Sequence, residues 1–131
     1  MPVSAPIVTS LYAGMLGLIA IGLGLVAGRV RGATGVSIGD GGNPDLIVAM
    51  RRHANFVEFV PLTLLLIGLL ELNGVAILAV HGLGAGLVLA RLSHAVGYRG
   101  DGKLSVLRAI GALGSTLVLA VASVWAIVVF F

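Results

Sequence analysis

Long apolar stretches alternate with short polar segments along the chain, and this pattern predicts four helices. The apolar stretches cover about residues 7–30, 45–72, 75–98 and 104–131. At about 1.5 Å of rise per residue, each can cross the roughly 30 Å hydrocarbon core of a bilayer. Glycine, asparagine and proline interrupt the pattern between them. We therefore expect one all-α domain over residues 1–131, an integral membrane bundle of four transmembrane helices.

The second helix has clear signals at both of its ends. Asn43 can cap its first turn and Pro44 suits the first helical position. Gly74 follows its last residues and stops it, so the second and third helices should form an antiparallel hairpin. Pro61 falls inside this helix, where the missing N–H predicts a kink.

The composition supports a membrane protein. Of the 131 residues, 59% are hydrophobic and only 10% are charged, against roughly 25% in soluble domains. Residues 7–28 follow no basic segment and gather no small residues into a cleavage site, so we expect a retained helix and not a signal peptide. The chain has no cysteine, which excludes disulfides, thiolate metal sites and a catalytic thiol, and we expect no metal.

The basic residues predict the orientation in the membrane. All eight Lys and Arg residues lie in or near the loops between helices one and two and between helices three and four. By the positive-inside rule these two loops are cytoplasmic and both termini face outward. The net charge of +3 comes from residues scattered at helix ends, so we do not expect nucleic acid as a partner.

Two groups of polar residues interrupt the apolar pattern. Arg51, Asn55 and Glu58 lie at i, i+4 and i+7 on one face of the second helix, whereas Arg52 and His53 point elsewhere. The third helix carries a second polar face, made of Arg91, His94 and Tyr98. Counted from the helix ends, Arg51 and Arg91 lie at similar depth, so the two faces can meet near the cytoplasmic side with Glu58 deepest.

The polar groups allow a structural or a ligand-binding interpretation. In the structural one, the arginines reach the lipid headgroups while Asn55 and Glu58 hold helices together. In the other, the convergent guanidinium, amide, carboxylate, imidazole and phenol groups bind a small zwitterion. Arginine grips carboxylates through paired hydrogen bonds, and Glu58 can take an ammonium group or pair with an arginine. An ionisable residue within a span costs at least roughly 2.5 kcal/mol, so a partner is expected.

The pattern Arg51-x-x-x-Asn55-x-x-Glu58-x-x-Pro61 in the second of four spans resembles the signature of a known family. These are the membrane-associated proteins in eicosanoid and glutathione metabolism, or MAPEG family, which include the microsomal glutathione transferases. The resemblance covers essentially the whole chain, including Arg91-x-x-His94-x-x-x-Tyr98 at the end of helix three, and is closest to the small bacterial-type members.

This resemblance implies a homotrimer in the bacterial inner membrane that binds glutathione between neighbouring subunits. Glutathione would be a co-substrate, and the other partners would be lipid and a hydrophobic small-molecule substrate. The implied glutathione-binding residues are Arg51, His53, Asn55, Glu58, Arg91, His94 and Tyr98, together with Arg31 or Arg29 at the end of helix one.

The family assigns activation of the glutathione thiol to an arginine near the start of helix four. Arg108 is the first candidate by position, followed by Arg99 and Lys103. The segment Gly100-Asp101-Gly102 changes the spacing after Tyr98, so the catalytic assignment is less specific than the binding one.

Three functions compete at this point. The first is a glutathione transferase or peroxidase that acts on hydrophobic electrophiles, and the second is a non-catalytic binding or structural membrane protein with the same fold. The third, a proton-coupled multidrug exporter of four helices, would need an acidic residue within its first helix. The first helix has none, which argues against an exporter.

Overall fold

The computed structural model describes residues 5–98, 101, 103 and 105–131. These residues form four helices and no strand: α1 (Ile7–Thr34), α2 (Pro44–Leu72), α3 (Ile77–Gly97) and α4 (Val106–Val128). All four are long and apolar enough to cross a membrane. The predicted class, an all-α integral membrane protein with four transmembrane helices, is confirmed.

The observed helix ends differ from the predicted ones most at the end of α1. That helix is expected to stop near Val30 but continues through Gly32 to Thr34. Gly35 ends it in a left-handed conformation with φ of 68°, a conformation that glycine adopts without steric cost. At the other end of the chain, α4 stops at Val128.

The first turn of α2 forms as its sequence predicts. The Asn43 side chain accepts hydrogen bonds from the backbone N–H groups of Asp45 and Leu46, both at 3.1 Å. Pro44 occupies the first turn, where its missing N–H leaves no hydrogen bond unmade. Pro61 lies inside the helix, which continues on both sides of it.

Helices α2 and α3 form the middle of the bundle. Each of them packs against every other helix, whereas α1 and α4 lie on opposite sides and do not pack against each other in the described part of the chain. Helices α3 and α4 share the most extensive contact. The core contains fully buried residues from all four helices, among them Leu16, Phe56, Leu87 and Ala122.

The beginning of α1 is held by an acidic residue at the end of α2. The N-cap residue of α1, Pro6, supplies no side-chain acceptor for the first N–H groups of the helix. Glu71 supplies it instead: its carboxylate accepts from the backbone N–H of Val8 at 2.9 Å and of Thr9 at 2.7 Å, and from the Thr9 hydroxyl at 2.6 Å. Glu71 is only 7% exposed, so these bonds lie within the protein.

Tyr12, one turn further along α1, attaches this helix to α3. Its hydroxyl lies 2.9 Å from His81 Nδ1, and its ring packs directly on the backbone at Gly84, where a Cβ atom would not fit. The first two turns of α1 are therefore fixed to both central helices.

We predict that Glu71→Gln lowers the stability of the folded protein by about 1–3 kcal/mol, because a neutral amide cannot accept all three hydrogen bonds as an anion does. Thr9→Val removes only the hydroxyl bond and should cost less. Thermal unfolding of both variants in detergent micelles measures the effect. Equal melting temperatures for Glu71→Gln and wild type would contradict this account of how α1 is held.

Candidate functional site

A buried arginine lies where α2, α3 and α4 meet. Arg91 of α3 is 1% exposed. Its guanidinium donates to Asn55 Oδ1 of α2 at 2.8 Å and to Ser115 Oγ of α4 at 3.2 Å. It also lies against the rings of Phe56 and Phe59, with centroid distances of 5.5 and 5.8 Å. One charged group thus connects three helices.

Arg91 has donor capacity that its neighbours do not use. Within the described ranges no carboxylate pairs with it, and its Nε is buried without a hydrogen-bond partner. The remaining polar neighbour is His94 Nδ1, at 3.4 Å. A buried cation without an opposite charge is costly, so an anion near this guanidinium would be strongly stabilised.

The bond from Arg91 also fixes the orientation of the Asn55 amide. Because Oδ1 accepts from the guanidinium, the NH₂ group of Asn55 faces away from Arg91. Asn55 is half-buried, and Arg51 and Glu58 lie about one turn to either side on the same face of α2. The amide can therefore donate to an acceptor located along this face.

The outer part of this face carries two charges that form no ion pair in the described part of the chain. Arg51 and Glu58 are both exposed. The expected pairing of Glu58 with an arginine does not occur among the described residues, because Arg91 is directed inward to Asn55 and Ser115. The two predicted polar faces do meet, but they meet at Asn55 and Arg91, with Glu58 outside the contact.

The polar residues of α3 extend as far as the first turn of α4. His94 is 3% exposed, and its ring lies edge-on to that of Tyr98 with centroids 5.6 Å apart. The guanidinium carbon of Arg108, in the first turn of α4, lies 4.1 Å from the centroid of the Tyr98 ring. The structure thus brings Arg91, His94, Tyr98 and Arg108 into one continuous row.

Two glycines allow α3 and α4 to approach closely at this row. A Cβ atom on Gly97 would meet the backbone at Leu107 and Arg108, and one on Gly111 would meet the backbone of Ala90 and His94. The Ser105 hydroxyl joins the same two helices, since it donates to the Gly97 carbonyl at 2.5 Å and accepts from the Arg108 N–H at 3.1 Å. Backbone contact therefore sets the position of Arg108.

Two other predicted residues, Arg31 and His53, have different surroundings, as does Arg52, which was not predicted to belong to the site. The Arg31 guanidinium donates to the Val36 and Gly39 carbonyls, at 3.0 and 2.9 Å, and so braces the loop between α1 and α2. His53 lies against α1 beside Gly24. Arg52 donates to the Tyr98 carbonyl. The catalytic candidate Arg99 falls outside the described residues, and the third candidate, Lys103, is exposed.

Ser115 and Gly111 are parts of the site that the sequence did not predict. Both lie in an apolar helix in which small residues are common, and neither belongs to a polar pattern. Gly111 lies at i+3 and Ser115 at i+7 from Arg108, which places all three residues on one face of α4. This spacing is the one signal in the sequence that could have indicated Gly111 and Ser115.

Comparison with known proteins identifies relatives over most of the chain. Residues 9–128 match the model of the MAPEG family. Inner membrane protein YecN of Escherichia coli strain K12 is 35% identical over 91 residues, which make up 70% of each chain. YecN of E. coli O6:H1 strain CFT073 has the same identity and coverage. No solved structure matches the chain significantly.

We predict that Gly111→Ala destabilises the protein by about 1–3 kcal/mol, since the added methyl group would push the α3 backbone away from α4. Gly82→Ala is the matched control, because a Cβ atom there has nothing within 4 Å. Thermal unfolding in detergent should show a lower melting temperature for Gly111→Ala alone. If both variants have the melting temperature of wild type, the close contact between α3 and α4 is not required for stability.

Proposed function

We propose that this chain, which belongs to the MAPEG family, binds glutathione and activates its thiol for reaction with hydrophobic electrophiles. The proposed site extends from Arg51 and Glu58 past Asn55 and Arg91 to Arg108. The observation that carries the proposal is the pair of exposed charges on the membrane-spanning helix α2. They lie beside the buried cation Arg91, which no carboxylate pairs with among the described residues.

Exposed charges on such a helix require partners. A charged side chain facing lipid near the bilayer centre costs at least roughly 2.5 kcal/mol. Arg51 and Glu58 carry opposite charges and lie on one face of α2, about two turns apart. A zwitterionic ligand placed along this face, with a neighbouring subunit covering it, would satisfy both charges.

The residues fit the groups that glutathione carries, which are two carboxylates, one ammonium group, peptide carbonyls and a thiol. Arg51 can bind a carboxylate through paired hydrogen bonds, and the buried positive charge of Arg91 favours an anion nearby. Glu58 can accept from the ammonium group. The outward NH₂ of Asn55 suits a carbonyl or carboxylate oxygen.

Arg108 is the residue that we propose for thiol activation. Its guanidinium lies on the Tyr98 ring at the end of the polar row, half-buried and in reach of a ligand bound there. A fixed positive charge lowers the pKa of a nearby thiol and favours the thiolate, which is the nucleophilic form. The thiol proton would pass to water, and the thiolate sulfur would then form a bond to an electrophilic carbon of a substrate that enters from the bilayer. The bond from that carbon to its leaving group would break, and the leaving group would depart with the electron pair.

The proposed assembly is a homotrimer in which each glutathione lies between two subunits. A second copy would cover the exposed face of α2 and could supply further contacts. His53 and the end of α1 are suited to this role, since they lie on a different side of the subunit from Asn55. The YecN relatives are described as inner membrane proteins, and we propose the same membrane here, with both termini outside and the two basic loops in the cytoplasm.

A non-catalytic glutathione-binding protein is the second candidate function. The stacking of Arg108 on Tyr98 supports it, because a guanidinium held on a ring could serve only to position the tyrosine. The two functions share the binding site and differ in whether the bound thiol loses its proton.

We predict that glutathione added to the purified protein in detergent produces a saturable thiolate band in the ultraviolet difference spectrum near neutral pH. Arg51→Ala and Glu58→Gln should weaken glutathione binding by about tenfold or more, the effect of losing one charge-assisted hydrogen bond. Arg108→Ala should retain binding, measured by calorimetry, but lose the thiolate band.

Asp45→Asn is the matched control for Glu58→Gln, because it removes one exposed carboxylate from α2 outside the proposed site. It should bind glutathione like wild type. Binding without a thiolate band in the wild-type protein would favour the non-catalytic function. No binding by wild type, or unchanged binding by Arg51→Ala and Glu58→Gln, would refute the proposed site.

A further inference from the structure

The peptide unit that joins Leu107 to Arg108 is hydrogen-bonded at both of its polar ends by serine hydroxyls. The Ser93 hydroxyl of α3 donates to the Leu107 carbonyl at 2.8 Å. The Ser105 hydroxyl, at the N-cap of α4, accepts from the Arg108 N–H at 3.1 Å. The backbone from which the Arg108 side chain extends is therefore held on both sides.

Helix α3 supplies most of this support. Besides the bond from Ser93, the Gly97 carbonyl accepts from the Ser105 hydroxyl and so holds the group that binds the Arg108 N–H. Gly97 also packs directly on the peptide unit, since a Cβ atom there would overlap the Arg108 nitrogen and the Leu107 carbonyl carbon. Ser93 and Gly97 are one turn apart on the same face of α3, so this one face determines where α4 begins.

The bond from Ser93 differs from those of most other hydroxyls in the described helices. A serine or threonine within a helix commonly donates to the carbonyl four residues earlier in the same helix. The following residues do so: Thr63, Ser115, Thr116 and Ser123. Ser93 instead donates to a neighbouring helix, at the residue before Arg108. Its hydroxyl therefore acts on the start of α4 and not on its own helix.

The other end of the Arg108 side chain rests on Tyr98, at the end of α3. The guanidinium carbon lies 4.1 Å from the centroid of the Tyr98 ring. That ring is itself held in place, because it lies edge-on to His94 and the Tyr98 carbonyl accepts from Arg52. An arginine fixed both at its backbone and at its guanidinium has few orientations left to lose when a ligand binds.

We propose that Ser93 is a positioning residue for thiol activation, because its bond to the Leu107 carbonyl sets the distance from the Arg108 guanidinium to the sulfur of bound glutathione. This inference rests on the proposed function of Arg108. The attraction between a thiolate and a positive charge weakens as they separate. For a guanidinium about 4 Å from the sulfur, a displacement of about 1 Å would lower the thiolate population about fourfold at an effective dielectric constant of about 20.

The first test follows the thiolate band of bound glutathione as a function of pH in the intact protein in detergent. Ser93→Ala should move the midpoint of the band to higher pH by about 0.6 unit, which corresponds to the fourfold smaller thiolate population. The glutathione affinity, measured by calorimetry, should stay within about twofold of wild type, since Ser93 does not contact the ligand in the proposed site.

Two further variants control this result. Ser93→Thr keeps a hydroxyl at the same position and should restore the wild-type midpoint. Ser123→Ala is the matched control, because it removes a hydroxyl of α4 that bonds only within its own helix, and it should leave the midpoint unchanged. Alanine is the most favourable residue within a helix, so Ser93→Ala is expected to fold.

A second test measures the position of Arg108 without glutathione. In nuclear magnetic resonance spectra of protein with isotope-labelled arginine, the Tyr98 ring should shift the Arg108 Nε–H proton to low frequency, because the guanidinium lies over the ring. Arg108→Gln identifies this signal by removing it. Ser93→Ala should reduce the shift, whereas Ser93→Thr and Ser123→Ala should keep it.

The two tests separate the positioning role from the proposed function. An unchanged Arg108 signal in Ser93→Ala, or an unchanged midpoint where wild type shows a thiolate band, would refute the positioning role. If wild type shows no thiolate band, the proposed function of Arg108 fails, and the Arg108 signal alone then decides whether Ser93 positions this side chain.

Discussion

The buried guanidinium of Arg91 is the constraint on which the arrangement of the site depends. A cation inside a membrane bundle must be surrounded by acceptors and π faces, since neither water nor lipid headgroups can reach it. Asn55, Ser115 and two phenylalanines meet part of this demand, and they come from two helices other than its own. The contacts that Arg91 requires therefore fix how α2, α3 and α4 pack at the depth of this side chain.

The same demand explains why the site is formed but incomplete. Neutral hydrogen-bond acceptors stabilise Arg91 without cancelling its charge, and the unpartnered Nε shows that the acceptors are too few. On the outer face of α2, Arg51 and Glu58 likewise have no opposite charge beside them among the residues that the structure describes. The zwitterion that we propose along this face would supply both signs of charge at once.

Much of this architecture could be predicted from the sequence because membrane spans obey simple rules. Long apolar runs, the Asn43 cap and the polar periodicity of α2 and α3 are local features, and each predicted its structure correctly. The role of Glu71 could not be predicted in this way. Its partners at Val8 and Thr9 lie more than 60 residues away, and its position beside a turn favours an exposed residue. The sequence likewise did not show that Arg91 turns inward to Ser115 and leaves Glu58 without an arginine.

The two ends of α1 show how a nearly featureless helix can be held in a defined position. This helix has no contact with α4 in the described part of the chain and only a few buried residues, so apolar packing alone specifies its register weakly. Polar contacts replace it: Glu71 holds the first turn, while Arg31 braces the loop at the other end. The Glu71 bonds join α1 to α2, so a shift of α1 by one residue against α2 would break them.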